Sequence, residues 1–535
     1  MTRANFPLRL PRNWPLAVAT VLLTGMLIML CVHLLVSAYT SGDDGYTTMA
    51  ALDTPSLWAA AKQMAVFQGR FYQLITYPLA MLPYVSGNLT VTNLFRIYTF
   101  LIFFSGFIAL CRELLGWRGA ICCAALFLCL FDTVGGLYNA FHGLPLWFGV
   151  GYGLLLFSLS MHVRALRNGT SSLPAFGLFG ISLLTYEIVI LYAPAFIFST
   201  LLYQTRQSSD ARLFTRRSIL SALRSNIPVM LCCCIYLIVY IVFRHYYPGT
   251  YTGAEGLTLA APKSIVKPIF EFSWHSLYWH FGATGNQALS VTSLLFAVAS
   301  VLAISLSLAS GATPPTVRAP QYSAPSTAAA IIFMAVYVFV PNILFGFTER
   351  YRIWAGDGVK VYLGSALSAV AFVILLYILS NWLWRVLRRS MIGRLLGTAL
   401  LFSVFVISYA NAKNAENFYG QSAEMSIRWP VANWVSDKLK GLPTVGMSPP
   451  FKLCESGFTH TSELHTYFRN PDMMADVNIF WNHYFSRESG RTVEIVNDPT
   501  NSSSACDARL QLSYLQHSAT LFVPSTQHYW RYTWR

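Results

Sequence analysis

Apolar residues run along this chain in long blocks rather than in alternation. Stretches near 14–38, 94–111, 119–136, 143–163, 173–188, 189–204, 227–243, 286–308, 327–346, 359–381 and 394–411 are almost free of charge. A helix of roughly 17–25 apolar residues matches the hydrocarbon layer of a bilayer, so about eleven spans are predicted. The first block follows Arg3, Arg9 and Arg12 as in a signal peptide. Its apolar core is too long for one, and it is expected to stay as an anchor. The 173–204 pair is short and interrupted by Tyr186-Glu187, which leaves two full crossings there open. Segment 71–86 is also short, with Pro78, Pro83, Tyr72, Tyr77 and Tyr84, and reads as interfacial or re-entrant. Ahead of it, Thr54 and Pro55 supply an N-cap and first-turn signal. Leu57, Ala61, Met64 and Ala65 then fall on one helical face. The first outer loop, 39–93, is therefore predicted to lie on the membrane as two helices.

Beyond residue 411 charges of both signs return. Asn497-Asp498-Pro499 and Asn501-Ser502-Ser503 are turn signals, and 492–496 and 519–524 are strand-like runs. The predicted architecture is an α-helical polytopic membrane domain over 1–410 and a small α/β domain over 411–535, with no internal repeat.

A chain of 535 residues has room for several soluble domains, but composition excludes that reading. Charged residues are 11% against a usual quarter, hydrophobic residues 55%, and mean hydropathy is +0.48. The net charge of +15 resembles a nucleic-acid signal until it is located. Residues 1–410 hold 26 Lys+Arg and 11 Asp+Glu, whereas 411–535 hold 11 of each. The excess belongs to the membrane part, where topology explains it. With the N-terminus inside, Arg112, Arg118, Arg164, Arg167, Arg206, Arg212, Arg216, Arg217, Arg224, Arg318, Arg385, Arg388, Arg389 and Arg394 all fall on the cytoplasmic side. Of the acids before 411, only Glu113 and Asp210 join them, so the polar chemistry faces outward. An odd number of spans then places 411–535 outside.

Cysteine divides the same way. Cys31, Cys111, Cys122, Cys123, Cys129, Cys232, Cys233 and Cys234 sit in apolar stretches and are expected as small buried hydrophobes. Cys454 and Cys506 lie in the polar tail, where an oxidising compartment makes them disulfide partners or, failing that, free thiols.

The sequence carries no Walker loop, GxGxxG, HExxH, GxSxG or CxxC pair. What remains is polar residues at outer span ends. Ser41-Gly42-Asp43-Asp44-Gly45 follows the first span, and Gly69-Arg70-Phe71 opens the second interfacial segment. Adjacent carboxylates at a membrane boundary repel unless a cation, an arginine or an acceptor hydroxyl lies between them, although Asp-Asp-Gly is also good turn chemistry. Asp132 ends the third span and His142 precedes the fourth, as ligands or as caps. Glu187 interrupts an apolar run, which is costly without a partner unless it lies at the interface. Arg350 and Arg352 stand just outside the ninth span, placed for a phosphate or for lipid headgroups.

This arrangement resembles the GT-C class of polytopic glycosyltransferases. The shared elements are an N-inside first span, an outer loop opening with Asp43-Asp44, acids at later outer span ends and a C-terminal outer domain. Asp43-Asp44 followed by Gly69-Arg70 resembles, within that class, the bacterial O-antigen glucosyltransferases of the phage-conversion type. The resemblance implies a hexosyltransferase in the bacterial inner membrane. Its donor would be a polyprenyl-phosphate sugar and its acceptor an envelope glycan or lipid such as lipopolysaccharide, with no role for nucleic acid. It implies Asp43 or Asp44 as general base, and Arg70, Arg350 and Arg352 as holders of the donor phosphate. A divalent cation (Mg2+ or Mn2+), in members that use one, would be held by Asp44 with Asp132 or His142. Gly45-Tyr46 departs from the family pattern, so no contact made there is carried over.

Two other functions fit the pattern in part. An O-antigen polymerase or ligase would work through arginines and histidines in late outer loops. The 244–285 loop offers Arg244, Lys263, Lys267, His275 and His280, but leaves Asp43-Asp44 without a role. A transporter or flippase would place ionisable groups near mid-membrane or show repeats, and here the acids collect at one face.

Overall fold

A computed structural model describes residues 14–36, 47, 51, 56–86, 88–131, 141, 144–207, 215–251, 260–275, 289–309, 324–356, 363–387, 390–443, 449–458, 481–498 and 506–534. Among them, nine helices are long and apolar enough to cross a membrane. These are Trp14–Val36, Leu89–Leu130, Leu146–Asn168, Glu187–Gln204, Ile227–Tyr246, Val291–Ala309, Thr327–Phe347, Ser365–Leu383 and Met391–Phe418. The chain is a multi-pass helical membrane protein with a small C-terminal sheet domain.

The first helix shows why. Ala19, Leu23, Met26, Leu30 and Leu34 form a buried stripe, yet the opposite face carries Val21, Ile28 and Val32, each more than half exposed. A helix apolar on both its protein face and its outer face suits lipid and not water.

Two of the expected spans, 94–111 and 119–136, are joined in Leu89–Leu130. Gly116 breaks that helix with φ 77 and ψ 176, a conformation that side chains disfavour, so the rod is two helices meeting at a glycine hinge. The 173–204 region resolves differently. Leu173–Leu183 has only 11 residues, about 16 Å at 1.5 Å per residue, yet it runs from beside Asn168 to Gly151, where Ser182 bonds, so it reaches as deep as the helix before it. It ends before Glu187–Tyr192, a 3-10 turn that feeds Ala193–Gln207.

Between the first two spans lie two short helices, Leu57–Gln68 and Gln73–Met81, and a 3-10 turn, Leu82–Tyr84. Ser56 is the N-cap of the first, its hydroxyl accepting from Ala59 N at 3.1 Å. The Thr54-Pro55 signal lies two residues early and outside the described residues; a serine hydroxyl at 56 serves the exposed amides directly. Tyr72, Tyr77 and Tyr84 are all buried, so this segment is packed into the protein. Of the eight membrane-part cysteines, Cys31 and Cys232 are half-buried and Cys234 is exposed on its helix, while the other five are buried.

The core of the helical part is aromatic. Phe100, Phe103, Phe104, Phe107, Phe127, Phe131 and Phe141 interlock, with Phe127–Phe131 stacked at 4.8 Å and Phe100–Phe141 edge-on at 5.0 Å. Helix Met391–Met425 runs unbroken past residue 410, and the second core begins with Val431. There the sheet has order β2-β1-β3-β4-β5, built from β1 Phe451–Ser456, β2 Val493–Asn497, β3 Ala508–Ser513, β4 Ser518–Val523 and β5 His528–Thr533. β1 pairs in parallel with β2 and β3, and β3-β4-β5 form an antiparallel meander. Helix Arg428–Lys440 lays Val431, Val435 and Leu439 on Leu453, Leu510 and Leu521. Cys454 in β1 is bonded to Cys506 just before β3, with Cα atoms 5.6 Å apart.

Candidate functional site

Two short-helix ends meet at one end of the helical part. Helix Leu57–Gln68 stops at Gly69, which takes a left-handed conformation (φ 64) and donates its N–H to Val66 O at 3.2 Å. The chain after helix Ile227–Tyr246 closes over this stop. Thr250 N and Tyr251 N both donate to Phe67 O, at 2.9 and 3.1 Å. A Cβ on Gly69 would lie 3.0 Å from Tyr247 O and 3.1 Å from Pro248 O. Glycine is thus required there for its conformation and for the close approach, and together they fix the next residue, Arg70.

Glu187 comes from the other side. Ser182 Oγ donates to Gly151 O at 2.7 Å and Thr185 Oγ1 to Ser182 O at 2.6 Å, closing the end of helix Leu173–Leu183 on the π-helical segment Leu146–Gly151. Glu187 follows as the first residue of the 3-10 turn.

Arg70 Nη2 lies 2.8 Å from Glu187 Oε1, with the side chains only 11% and 19% exposed. The Tyr72 hydroxyl donates to Glu187 Oε2, so both carboxylate oxygens are engaged. Arg70 is less fully satisfied. Its Nη1 reaches Gln68 Oε1 only at 3.4 Å, and its Nε is buried with no acceptor among the described residues. Buried tyrosines surround the pair: Tyr72, Tyr152, Tyr186, Tyr236 and Tyr351. Tyr72 and Tyr186 meet edge-on at 6.5 Å, and Phe71 packs on Tyr236 at 5.3 Å. Burial works against the charge of Arg70, but Glu187 beside it more than compensates and holds its pKa well above the usual value. Burial also pushes the phenols of Tyr72, Tyr186 and Tyr351 up, keeping them protonated as donors.

Tyr351 connects this cluster to the second arginine group, because it feels both Arg70 and Arg350. Arg350 is held between rings, its guanidinium carbon 4.7 Å from the Tyr251 centroid and 4.4 Å from that of Trp354. Arg352 turns away, donating to Gly346 O at 3.3 Å. Of the sequence-derived residues, the structure brings Arg70 and Glu187 into contact and Arg350 to the edge of their cluster. Asp43, Asp44, Asp132 and His142 lie outside the described residues.

Three features escaped the sequence reading. Tyr236 and Tyr351 line the site, and the only signal was a hydroxyl in an apolar or interfacial run. Arg96 is wholly buried, with Nη1 2.8 Å from Asn93 Oδ1, and the signal there was a charge inside an expected span. Asn93 Nδ2 in turn donates to Leu35 O at 2.9 Å, which sets the start of helix Leu89–Leu130 beside the end of the first helix. Third, Glu416 Oε2 accepts from the Ser290 hydroxyl and from Ser293 Oγ at 2.9 Å.

The opposite end of these helices is marked by a different pair. Arg167 Nη2 lies 2.5 Å from Glu113 Oε2, and Tyr203 Oη donates to Arg167 O at 3.3 Å. The segments around Glu113 and Arg167, expected on the same side of the membrane, therefore meet in space.

Among the described residues, the only grouping of three metal-type ligands is Cys454, Asp498 and Cys506. Both sulfurs there are committed to the disulfide and offer no thiolate, so these residues do not fit a cation site.

No protein-family model and no curated protein matches the chain. Among solved structures it is similar to crystal structures of the Archaeoglobus fulgidus oligosaccharyltransferase. One, tethered to an acceptor peptide containing the NVT sequon, gives a TM-score of 0.35 at 11% identity over 90% of this chain and 64% of that one. The apo form gives 0.35 at 12% over 92% and 65%, and the complex with Zn and sulfate gives 0.37 at 12% over 88% and 62%. The chain thus spans less than two thirds of the length of that enzyme. At this level of similarity no activity is transferred from it.

Proposed function

We propose that the chain is a GT-C-type membrane glycosyltransferase. It would move a sugar from a polyprenyl-phosphate donor to an envelope glycan or lipid on the outer face of the cytoplasmic membrane. The observation that carries the reading is Arg70: a buried guanidinium, held by Glu187, which Tyr72 in turn anchors, with Nε left without an acceptor among the described residues and phenols around it. A cation built into a desolvated site in this way suits a phosphate whose charge grows as a sugar departs. The meeting of the segments around Arg167 and Glu113 at the opposite end supports an outward position for Arg70.

In this reading an acceptor hydroxyl attacks the anomeric carbon on the face opposite the phosphate. The new C–O bond forms as the bond to phosphate oxygen breaks, that oxygen keeps the electron pair, and the configuration inverts. Asp43 or Asp44 takes the hydroxyl proton. Arg70 stabilises the departing phosphate, with Arg350 and Arg352 adding positive potential from helix Glu349–Gly356. The sheet domain then lies on the same outer face.

Mass spectrometry of envelope glycans and lipids from a deletion strain tests this. The strain is complemented with wild type, Asp43→Asn, Asp44→Asn or Arg70→Gln, each checked for normal insertion. One sugar mass should vanish on deletion and return with wild type only. Full restoration by all three variants would remove these residues from the mechanism.

A further inference from the structure

Helix Ile227–Tyr246 is mostly a lipid-facing rod. Leu237, Ile238, Ile241 and Val242 are each 44–63% exposed. One face departs from this. Tyr236 and Tyr240 stack at 6.1 Å with rings 21° apart, and Arg244 Nη1 donates to the Tyr240 hydroxyl at 3.1 Å. The spacing of four residues puts the three on one stripe running from the helix end inward. At its inner end Tyr236 is 5% exposed, packs on Phe71, and has a hydroxyl with no hydrogen-bond partner among the described residues. It interacts electrostatically with Arg70 and Glu187. The cluster thus contains two buried, unsatisfied donors, Arg70 Nε and Tyr236 Oη. Buried donors are nearly always paired in native proteins, and two together call for an acceptor from outside. Glu187 is held by Arg70 Nη2 and Tyr72 and reaches neither of these two donors, and an oxyanion is the acceptor that suits a guanidinium N–H and a phenol together.

We infer that Tyr236 and Arg70 form an oxyanion subsite for the phosphate of a lipid, reached from the membrane along the Tyr240–Arg244 face of helix Ile227–Tyr246. A lipid phosphate would travel with its head on this stripe and its tail among the exposed aliphatic side chains beside it. The tyrosine hydroxyl and the guanidinium Nε both donate to phosphate oxygens. Glu187 is the resident counter-ion that offsets the burial of the Arg70 charge and holds it in place while the subsite is empty. The phosphate-donor part of this rests on the transferase reading above, whereas the role of Tyr236 stands on its own geometry.

The test is equilibrium binding of farnesyl phosphate to the full-length protein in nanodiscs, with inorganic phosphate and farnesol as parallel probes. Wild type, Tyr236→Phe and Arg70→Gln are compared by calorimetry and by the 31P shift of bound farnesyl phosphate. Tyr236→Phe removes only an unpartnered hydroxyl, so its thermal midpoint should stay level or rise. It should bind farnesyl phosphate about tenfold more weakly and move the 31P shift, with farnesol unbound throughout. Unchanged affinity and shift in Tyr236→Phe, with loss in Arg70→Gln, would overturn the role of Tyr236 and leave the phosphate reading of Arg70 standing. Inorganic phosphate binding as tightly as farnesyl phosphate would overturn the lipid assignment. Absence of binding by wild type would overturn the subsite and the donor assignment together.

Discussion

The Arg70 guanidinium and the Glu187 carboxylate meet at 2.8 Å, joining a loop ahead of the second span to the break after the Leu173–Leu183 helix. Each explains the other. Arg70 sits in a buried cluster that would reject an uncompensated cation, and Glu187 interrupts an apolar run that would reject an uncompensated anion. Neutralising either partner should therefore destabilise the protein by about 3 kcal/mol. Arg70→Gln combined with Glu187→Gln should recover much of that loss. Thermal midpoints of the four proteins in one detergent give the coupling, and additive losses would mean that the pair is not coupled.

Gly69 holds the site through its backbone. Gly69→Ala meets a left-handed strain of about 1 kcal/mol and carbonyl contacts at 3.0 and 3.1 Å that have no flexible end to move. The expected outcome is loosening of 247–251, read as faster deuterium uptake at Thr250 and Tyr251 amides. Wild-type protection in Gly69→Ala would show that the close approach is not needed.

The Cys454–Cys506 bond closes a loop with a sequence separation of 52. Chain-entropy arguments give such a loop about 4 kcal/mol. Cys454→Ala with Cys506→Ala should therefore lower the unfolding midpoint of the sheet domain and open it to protease, while helices such as Leu89–Leu130 remain protected. Reducing agent should reproduce the effect in wild type and have none in the double variant.

Alkaline titration tests the phenols. Burial raises the pKa of Tyr72, Tyr186 and Tyr351 above the ordinary value near 10. The folded state then binds more protons than the unfolded state above that pH. The contribution is fully present below about 10 and is lost as pH rises toward the folded values. Stability should fall over that window, and tyrosinate absorbance should show a fraction ionising only on unfolding. Tyr72→Phe should shrink that fraction.

The helical architecture was legible in the sequence because a lipid environment imposes a length and polarity rule on every span. The rule acts residue by residue, and it found Trp14–Val36 as readily as Ile227–Tyr246. It left a question open where the constraint was not local: whether 173–204 crosses twice is answered only by packing, which sets the 11-residue helix Leu173–Leu183 against Gly151 and turns the chain back at Glu187. In the sheet domain the runs at 492–496 and 519–524 were visible, but β1, β3 and β5 were not. Their pairing depends on partners such as Leu453↔Ala508 and Leu521↔Trp530 that lie far apart or across turns.

The site divides along the same line. Sequence alone marked Arg70, Glu187 and Arg350, because a charge in or beside an apolar run is expensive and therefore conspicuous. It could not say that Arg70 and Glu187 are partners, that Arg352 turns back to Gly346, or that Tyr236 closes the ring. Chain order carries polarity and length, and these set the spans. Which distant side chains share a desolvated volume is decided only when the Gly69 clamp and the Gly151–Ser182 contact bring their helices together.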